Sequence, residues 1–404
     1  MKRLLVLVLA AAACTGSPKP ESPIAQLPTA ATDAAPAIAA LQASKFDEAR
    51  SIASQVMQKD GGNSRAAAVR ALVTYQAAGH ALITRLTALA EQGDDLKFLD
   101  HEAGRQMWKT FLDGLDAVDR DLAIAAADPA FSLELCLACW EHDWNRTGEV
   151  DERDRKLFEI EYDGKGGEIP EGTPARRPTF RFDVGDIDWA RAMISFQRAG
   201  VQLVLAYQWS ELDKLFERRF TERKLTIKLT DPGRVKKARE LILDGVAYAD
   251  RCRAAYLAET DDDREWVPNP RQQNHPVPLP MDAAIYDTWA GVTGDVRRML
   301  TSEEGLSLKQ VVALVEPKAA TLVPDAYLDF GAMLRDPRDI VLDLTDSSES
   351  PANVERILRG VFGNGYRTGM KASPLVQRLG RMKADLDRGT ESFDHKLRYL
   401  LWLN

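Results

Sequence analysis

Residues 186–209 are the segment that most limits what this chain can fold into. Ile187, Trp189, Met193, Ile194, Phe196, Val201, Leu203, Val204, Leu205 and Tyr207 recur at helical spacing and cover most of the circumference. Only Arg191, Ser195, Arg198 and Gln202, spaced four, three and four, make a polar stripe. A helix that is apolar on most sides is buried on most sides, so this one is expected at the centre of a helical body. Asp186 and Asp188 stand at its positive end, where capping and the helix dipole account for them without a metal.

The same 3.6-residue period, rich in Ala, Leu, Glu, Arg and Lys, runs from Ala37 onward. It predicts an all-α fold, a multi-helix body over 37–404 with at most a small two-stranded patch. Helices are expected near 65–91, 102–126, 131–142, 152–161, 186–220, 234–258, 281–300, 307–315, 351–359, 373–387 and 392–402. Thr179–Phe182 and Lys224–Thr230 alternate apolar and polar residues and are the candidates for that patch. The Gly- and Pro-rich stretches 163–178 and 259–280 are too long for simple turns and are expected to cover the surface or move. With 404 residues, 45% of them hydrophobic, the chain has enough material for one large or two ordinary domains. Its 53 basic and 61 acidic residues leave a net charge of -8, which argues against a nucleic-acid partner.

The N-terminus carries a processing signal. Lys2 and Arg3 precede the apolar run Leu4–Leu9, then Ala10–Ala13 and Cys14. The run is far shorter than the roughly 20 residues that cross a bilayer, which fits a secretory signal peptide. The Ala-Ala-Ala-Cys ending resembles the lipobox of bacterial lipoproteins, with Ala11 where that family usually has Leu. The resemblance implies removal of residues 1–13, diacylation of Cys14 and anchorage in a membrane of the cell envelope; a plain signal peptide is the alternative. Thr15, which is not Asp, leans by the same analogy toward the outer membrane. Pro18, Pro20, Pro23, Pro28 and Pro36 punctuate a Ser/Thr/Ala-rich stretch, so residues 14–36 are expected to form a flexible tether.

Residues 41–67 resemble a tetratricopeptide-repeat hairpin, with Phe46 and Ala49 at the aromatic and small packing positions. The resemblance covers about one repeat within 37–91, and an ordinary helical hairpin explains the same residues.

The segment that carries chemistry is Asp143-Trp-Asn-Arg-Thr-Gly-Glu-Val-Asp-Glu-Arg-Asp154. It resembles the twelve-residue EF-hand loop, which offers oxygens from alternate positions to a hard cation. The resemblance implies ligation by Asp143, Asn145, Thr147, the carbonyl of Glu149, Asp151 and Asp154, with Gly148 at the sharp turn. It also implies an inward-packed Val150 and flanking helices, a helix-loop-helix over 131–162. Asp154 stands where the family has Glu; its shorter arm weakens Ca²⁺ binding and admits Mg²⁺. No second loop of this quality is present, since Lys165 interrupts 163–169. An affinity of about 10⁻⁴ to 10⁻³ M is expected, suited to permanent occupancy outside the cell. An Asp-capped turn without an ion is the alternative reading.

Other constellations are poorer. Cys136-x-x-Cys139 falls within an expected helix, where a local bridge would distort the backbone, so buried thiols or one bridge to Cys252 are expected. His101-Glu102 fails the zinc-peptidase pattern, and no Gly-x-Ser-x-Gly or phosphate-binding glycine loop is present. Glu141/Asp143 and Asp186/Asp188 keep a glycosidase in play. The Trp residues at 140, 144, 189, 209, 266 and 289 are expected to be core anchors. The sequence therefore points to a calcium-binding envelope lipoprotein with a binding or scaffold role and a possible envelope protein partner. The alternative is an envelope hydrolase acting on glycans or peptides, in which the calcium loop is structural.

Overall fold

A computed structural model describes residues 33–91, 100–144, 147–163, 167–216, 223–260, 264–272, 275, 277, 281–315, 317–345 and 350–387. The fold is mostly helical. In chain order, α1 is Ala35–Gln42, α2 Phe46–Lys59, α3 Ser64–Glu91, α4 His101–Ala126, α5 Glu152–Lys156, α6 Val184–Ala206 and α7 Pro232–Ala258. There follow α8 Ala283–Leu300, α9 Leu308–Val315, α10 Phe330–Arg335, α11 Pro351–Phe362 and α12 Leu375–Leu386. Several of the longer helices start where the sequence supplies a side-chain cap. Asp100, Asp231 and Asp282 accept backbone N–H groups at the heads of α4, α7 and α8. Asp183 and Asp186 form a reciprocal capping box at the head of α6.

As its composition requires, α6 lies at the centre, packed on α4 on one side and α7 on the other. The helices α2, α3, α4, α6, α7, α8 and α12 each contact the next in that order. The helices approach closely where a side chain is missing: a methyl group on Gly245 would sit 2.6 Å from the Phe196 ring. Three of the four residues in the polar stripe of α6 bond to its neighbours, Ser195 being the exception among the described residues. Arg198 donates to Asp116 and Asp119 of α4, both at 2.7 Å, and Arg191 reaches Asp119 at 3.3 Å. Gln202 accepts from Arg234 of α7 at 2.7 Å. Between α3 and α4, Arg70 forms a two-pronged pair with Asp121 at 2.6 and 2.8 Å.

Three small antiparallel sheets decorate this body. β1 (Leu133–Leu135) pairs with β2 (Phe180–Phe182), Leu133 facing Phe182 and Leu135 facing Phe180. β3 (Tyr207–Gln208), β4 (Lys224–Leu229) and β7 (Ile340–Asp343) make the second sheet, with β4 in the middle. β5 (Leu306–Ser307), β6 (Tyr327–Leu328) and β8 (Tyr366–Arg367) make the third.

Several expectations need correction. The two strand candidates do not pair with each other; each finds a different partner. The helix expected over 186–220 ends at Ala206, where Arg105 of α4 takes the carbonyls of Leu205 and Tyr207 and the chain turns into β3. No α-helix occupies 131–142; the segment holds β1 and a single 3₁₀ turn at Leu137–Cys139. Phe131, Leu133 and Leu135 also fit a period of two, and Phe180 and Phe182 supply a strand to pair with, so β1 forms instead. With no helix to distort, Cys136 and Cys139 bridge across one 3₁₀ turn, while Cys252 is a buried free thiol. The helix expected over 152–161 is only the five-residue α5, and the one expected at 392–402 lies outside the described residues. Of the expected tether, residues 14–32 lie outside the described residues, and Ala35 and Pro36 belong to α1, whose first turn tolerates the missing N–H of Pro36, with Ala34 and Ala37 buried. Within 259–280 the chain is not a surface cover: Trp266 and Asn269 are buried, and the Asn269 amide caps α7 through the carbonyls of Tyr256 and Glu259.

Candidate metal-binding loop

The loop after β1 begins on an aromatic platform. The Ser44 hydroxyl, between α1 and α2, accepts the Glu141 N–H at 2.7 Å and ties the approach to the first hairpin. Trp144 packs edge-on against Phe158 (5.3 Å between centroids) and His142 (4.6 Å), and Trp140 packs between Phe46 and Phe158 at 5.7 and 5.8 Å. These contacts replace the missing entering helix as the support of the loop.

From that platform the chain coils around Asp143. Its two carboxylate oxygens accept the N–H groups of Thr147 at 3.0 Å and Gly148 at 2.7 Å. Gly148 has φ +94°, a left-handed conformation that a Cβ would strain. The Thr147 hydroxyl donates to the Glu149 carbonyl at 3.1 Å. Asp151 is the N-cap of α5 and accepts from Arg153 N and Asp154 N, while Asp154, which is buried, accepts Asp151 N at 3.0 Å. Hydrogen bonds thus link Asp143, Thr147 and Glu149 in one turn and Asp151 with Asp154 in a second, at the head of α5; Asn145 and Cys14 lie outside the described residues.

The donor set is oxygen only, which suits Ca²⁺ or Mg²⁺ and not a soft metal. Oxygens about 2.3–2.6 Å from a seven-coordinate ion lie roughly 2.8–3.4 Å from their neighbours, and the Thr147 and Glu149 oxygens have that spacing. The carboxylates, by contrast, are turned onto backbone amides. Among the described residues no group of three or more His, Cys, Asp or Glu side chains is gathered to hold a metal. An ionised carboxylate has about four acceptor sites, so an amide contact on each oxygen does not use up Asp143.

On its inner side the loop borders a cavity of about 330 Å³, which sequence reasoning missed. Trp140, His142, Asp143 and Trp144 form one wall; α3, α4, α6 and the β1–β2 pair form the others. His142 and Gln76 are hydrogen-bonded through Nε2 atoms 3.2 Å apart, and the Tyr75 hydroxyl accepts from Gln197 at 2.9 Å. Asp186 also lines it. Burial, reinforced by Asp183, pushes this carboxyl well above the usual carboxylate range, while Tyr256 OH donates to it at 2.7 Å. Nearby, burial and the charges of Glu265 and Asp183 push Glu259 up to about 9.

No helix among the described residues is long and apolar enough to cross a membrane. In comparisons with known proteins the chain matches no family model, no curated protein and no solved structure.

Proposed function

We propose that this chain binds one Ca²⁺ in the 143–154 loop, as a lipoprotein of a bacterial cell envelope, and that its helical body has a binding or scaffold role toward an envelope partner. The observation that carries the reading is the coil itself: the Thr147 and Glu149 oxygens stand 3.1 Å apart inside a turn that Asp143 and the positive-φ Gly148 close. In this reading Asp143, Asn145, Thr147, the Glu149 carbonyl, Asp151 and Asp154 hold the ion. It acts as a staple between the aromatic platform and α5, with Mg²⁺ as the competitor that the short Asp154 arm admits. Cys14 carries the lipid and outer-membrane placement follows from Thr15.

Trp144 supplies the test. Tb³⁺ held in the loop lies beside an indole, so excitation of tryptophan gives terbium luminescence that Ca²⁺ displaces and Asp143→Ala removes. Silence at millimolar Tb³⁺ overturns the ion reading.

One observation favours an enzyme: a single cavity carries Asp143 and Asp186, two carboxyls from distant segments. Both, however, are engaged within the fold, Asp143 by two loop amides and Asp186 by Asp183 N and Tyr256 OH. A hydrolase needs one carboxyl to give its proton and the other to act on water or substrate. These engagements favour binding over hydrolysis.

A further inference from the structure

The cavity beside the loop has features that the ion reading leaves unused. On α3, Ala68, Leu72, Tyr75, Gly79 and Ile83 fall four, three, four and four residues apart and present one face to it. Gly79 is the informative member. In the interior of a 28-residue helix, glycine costs about 1 kcal/mol relative to alanine. No packing demand explains it, since a methyl group at Gly79 would meet nothing within 4 Å. The helix gives up stability there and leaves space. At 38% exposure, Ile83 is among the few large apolar side chains left in solvent among the described residues, and it belongs to the same wall.

The volume and the wall chemistry define an occupant. A cavity of about 150 Å³ holds benzene; 330 Å³ is about twice that and matches a fused two- or three-ring molecule. Trp140, Trp144, Phe131, Phe158 and Phe182 supply aromatic surface, which favours flat ligands through edge and offset contacts. No lysine or arginine lines the space; its acids are Asp143 and Asp186 and its imidazoles His80 and His142, so no permanent positive charge awaits an anion. We infer that this cavity is a binding site for a neutral, flat aromatic molecule of two or three rings.

The inference goes beyond the ion reading and does not depend on it, so its test is run in EDTA. The probe is prodan, a neutral naphthyl ketone whose emission shifts to the blue in apolar surroundings. The full chain is expected to bind one equivalent saturably, and to bind the anionic anilinonaphthalene sulfonate at least tenfold more weakly. Gly79→Phe fills the open space with an aromatic ring and is expected to weaken prodan at least tenfold, with helix content and melting temperature maintained. Gly79→Ala, which leaves most of the space, is expected to bind within about twofold of the native chain. Gly79→Leu, a smaller plug, repeats the measurement if the phenylalanine unfolds the protein. Absence of saturable prodan binding, equal or tighter binding of the sulfonate, or undiminished binding by both plugged variants overturns the site.

Discussion

Removing the Asp143 carboxylate tests the ion reading through stability. Without calcium, Asp143→Ala loses two hydrogen bonds, to Thr147 N and Gly148 N, together about 1–2 kcal/mol at an exposed site. With calcium a second term enters. A ligand that binds only the folded state stabilises it by RT ln(1 + [L]/Kd); a site of about 10⁻⁴ to 10⁻³ M in 10 mM Ca²⁺ gains about 1.4–2.7 kcal/mol. With an unfolding entropy of about 2.1 cal/mol/K per residue over roughly 350 folded residues, that gain raises Tm by about 2–4 °C. Differential scanning calorimetry of the native chain in 10 mM CaCl₂ and in EDTA should show this difference, and Asp143→Ala should abolish it while melting about 1–3 °C lower in EDTA. Equal melting temperatures for the native chain in calcium and in EDTA refute the reasoning. So does a calcium shift that survives in the variant.

Glu259 gives a pH signature. Its folded-state pKa of about 9 lies far above the unfolded value, so its stabilising contribution is complete below about pH 4.3 and is lost as pH rises toward 9. Glu259→Gln mimics the protonated form; it should melt higher than the native chain at pH 8.5 and nearly the same at pH 4.5, and a variant less stable at pH 8.5 contradicts the assignment. Thiol titration of unfolded, unreduced residues 15–404 should find one reactive thiol, Cys252, because Cys136 and Cys139 are bridged; three thiols would disprove the bridge. Cys14→Ser should move the protein from the membrane to the soluble fraction, and retention on the membrane shows that the anchor is something else.

The helices were legible because their periods are long. The ends of α3, α4, α7 and α8 fall within about two residues of those expected, and Arg191, Arg198 and Gln202 lead to α4 and α7 as a buried helix with one polar stripe requires. Phe131–Cys139 misled for a physical reason. Its apolar residues satisfy spacings of two and of four together, and Phe180 and Phe182, 45 or more residues away, decide between them. The helix assumption then hid the disulfide. Trp266 was legible as a core anchor from its residue type alone, whereas Asn269 was not, because an irregular segment has no period; it is buried through its bonds to α7. The turn at Gly148 was legible from the spacing of Asp143, Thr147 and Gly148, which is local. The cavity walls come from five separate stretches of chain, and only Gly79, a glycine inside a long helix, hinted at them.

The guanidinium forks between helices bear on how that cavity behaves. Arg70 with Asp121 joins α3 to α4, and Arg191 and Arg198 with Asp119 and Asp116 join α4 to α6. To slide by one turn, about 5.4 Å, a helix must break every fork on its flank at once. The three helical sides of the chamber are therefore held in fixed register with one another. Guests are sorted by girth before they are sorted by affinity, and little of the energy of fitting is diverted into reshaping the host.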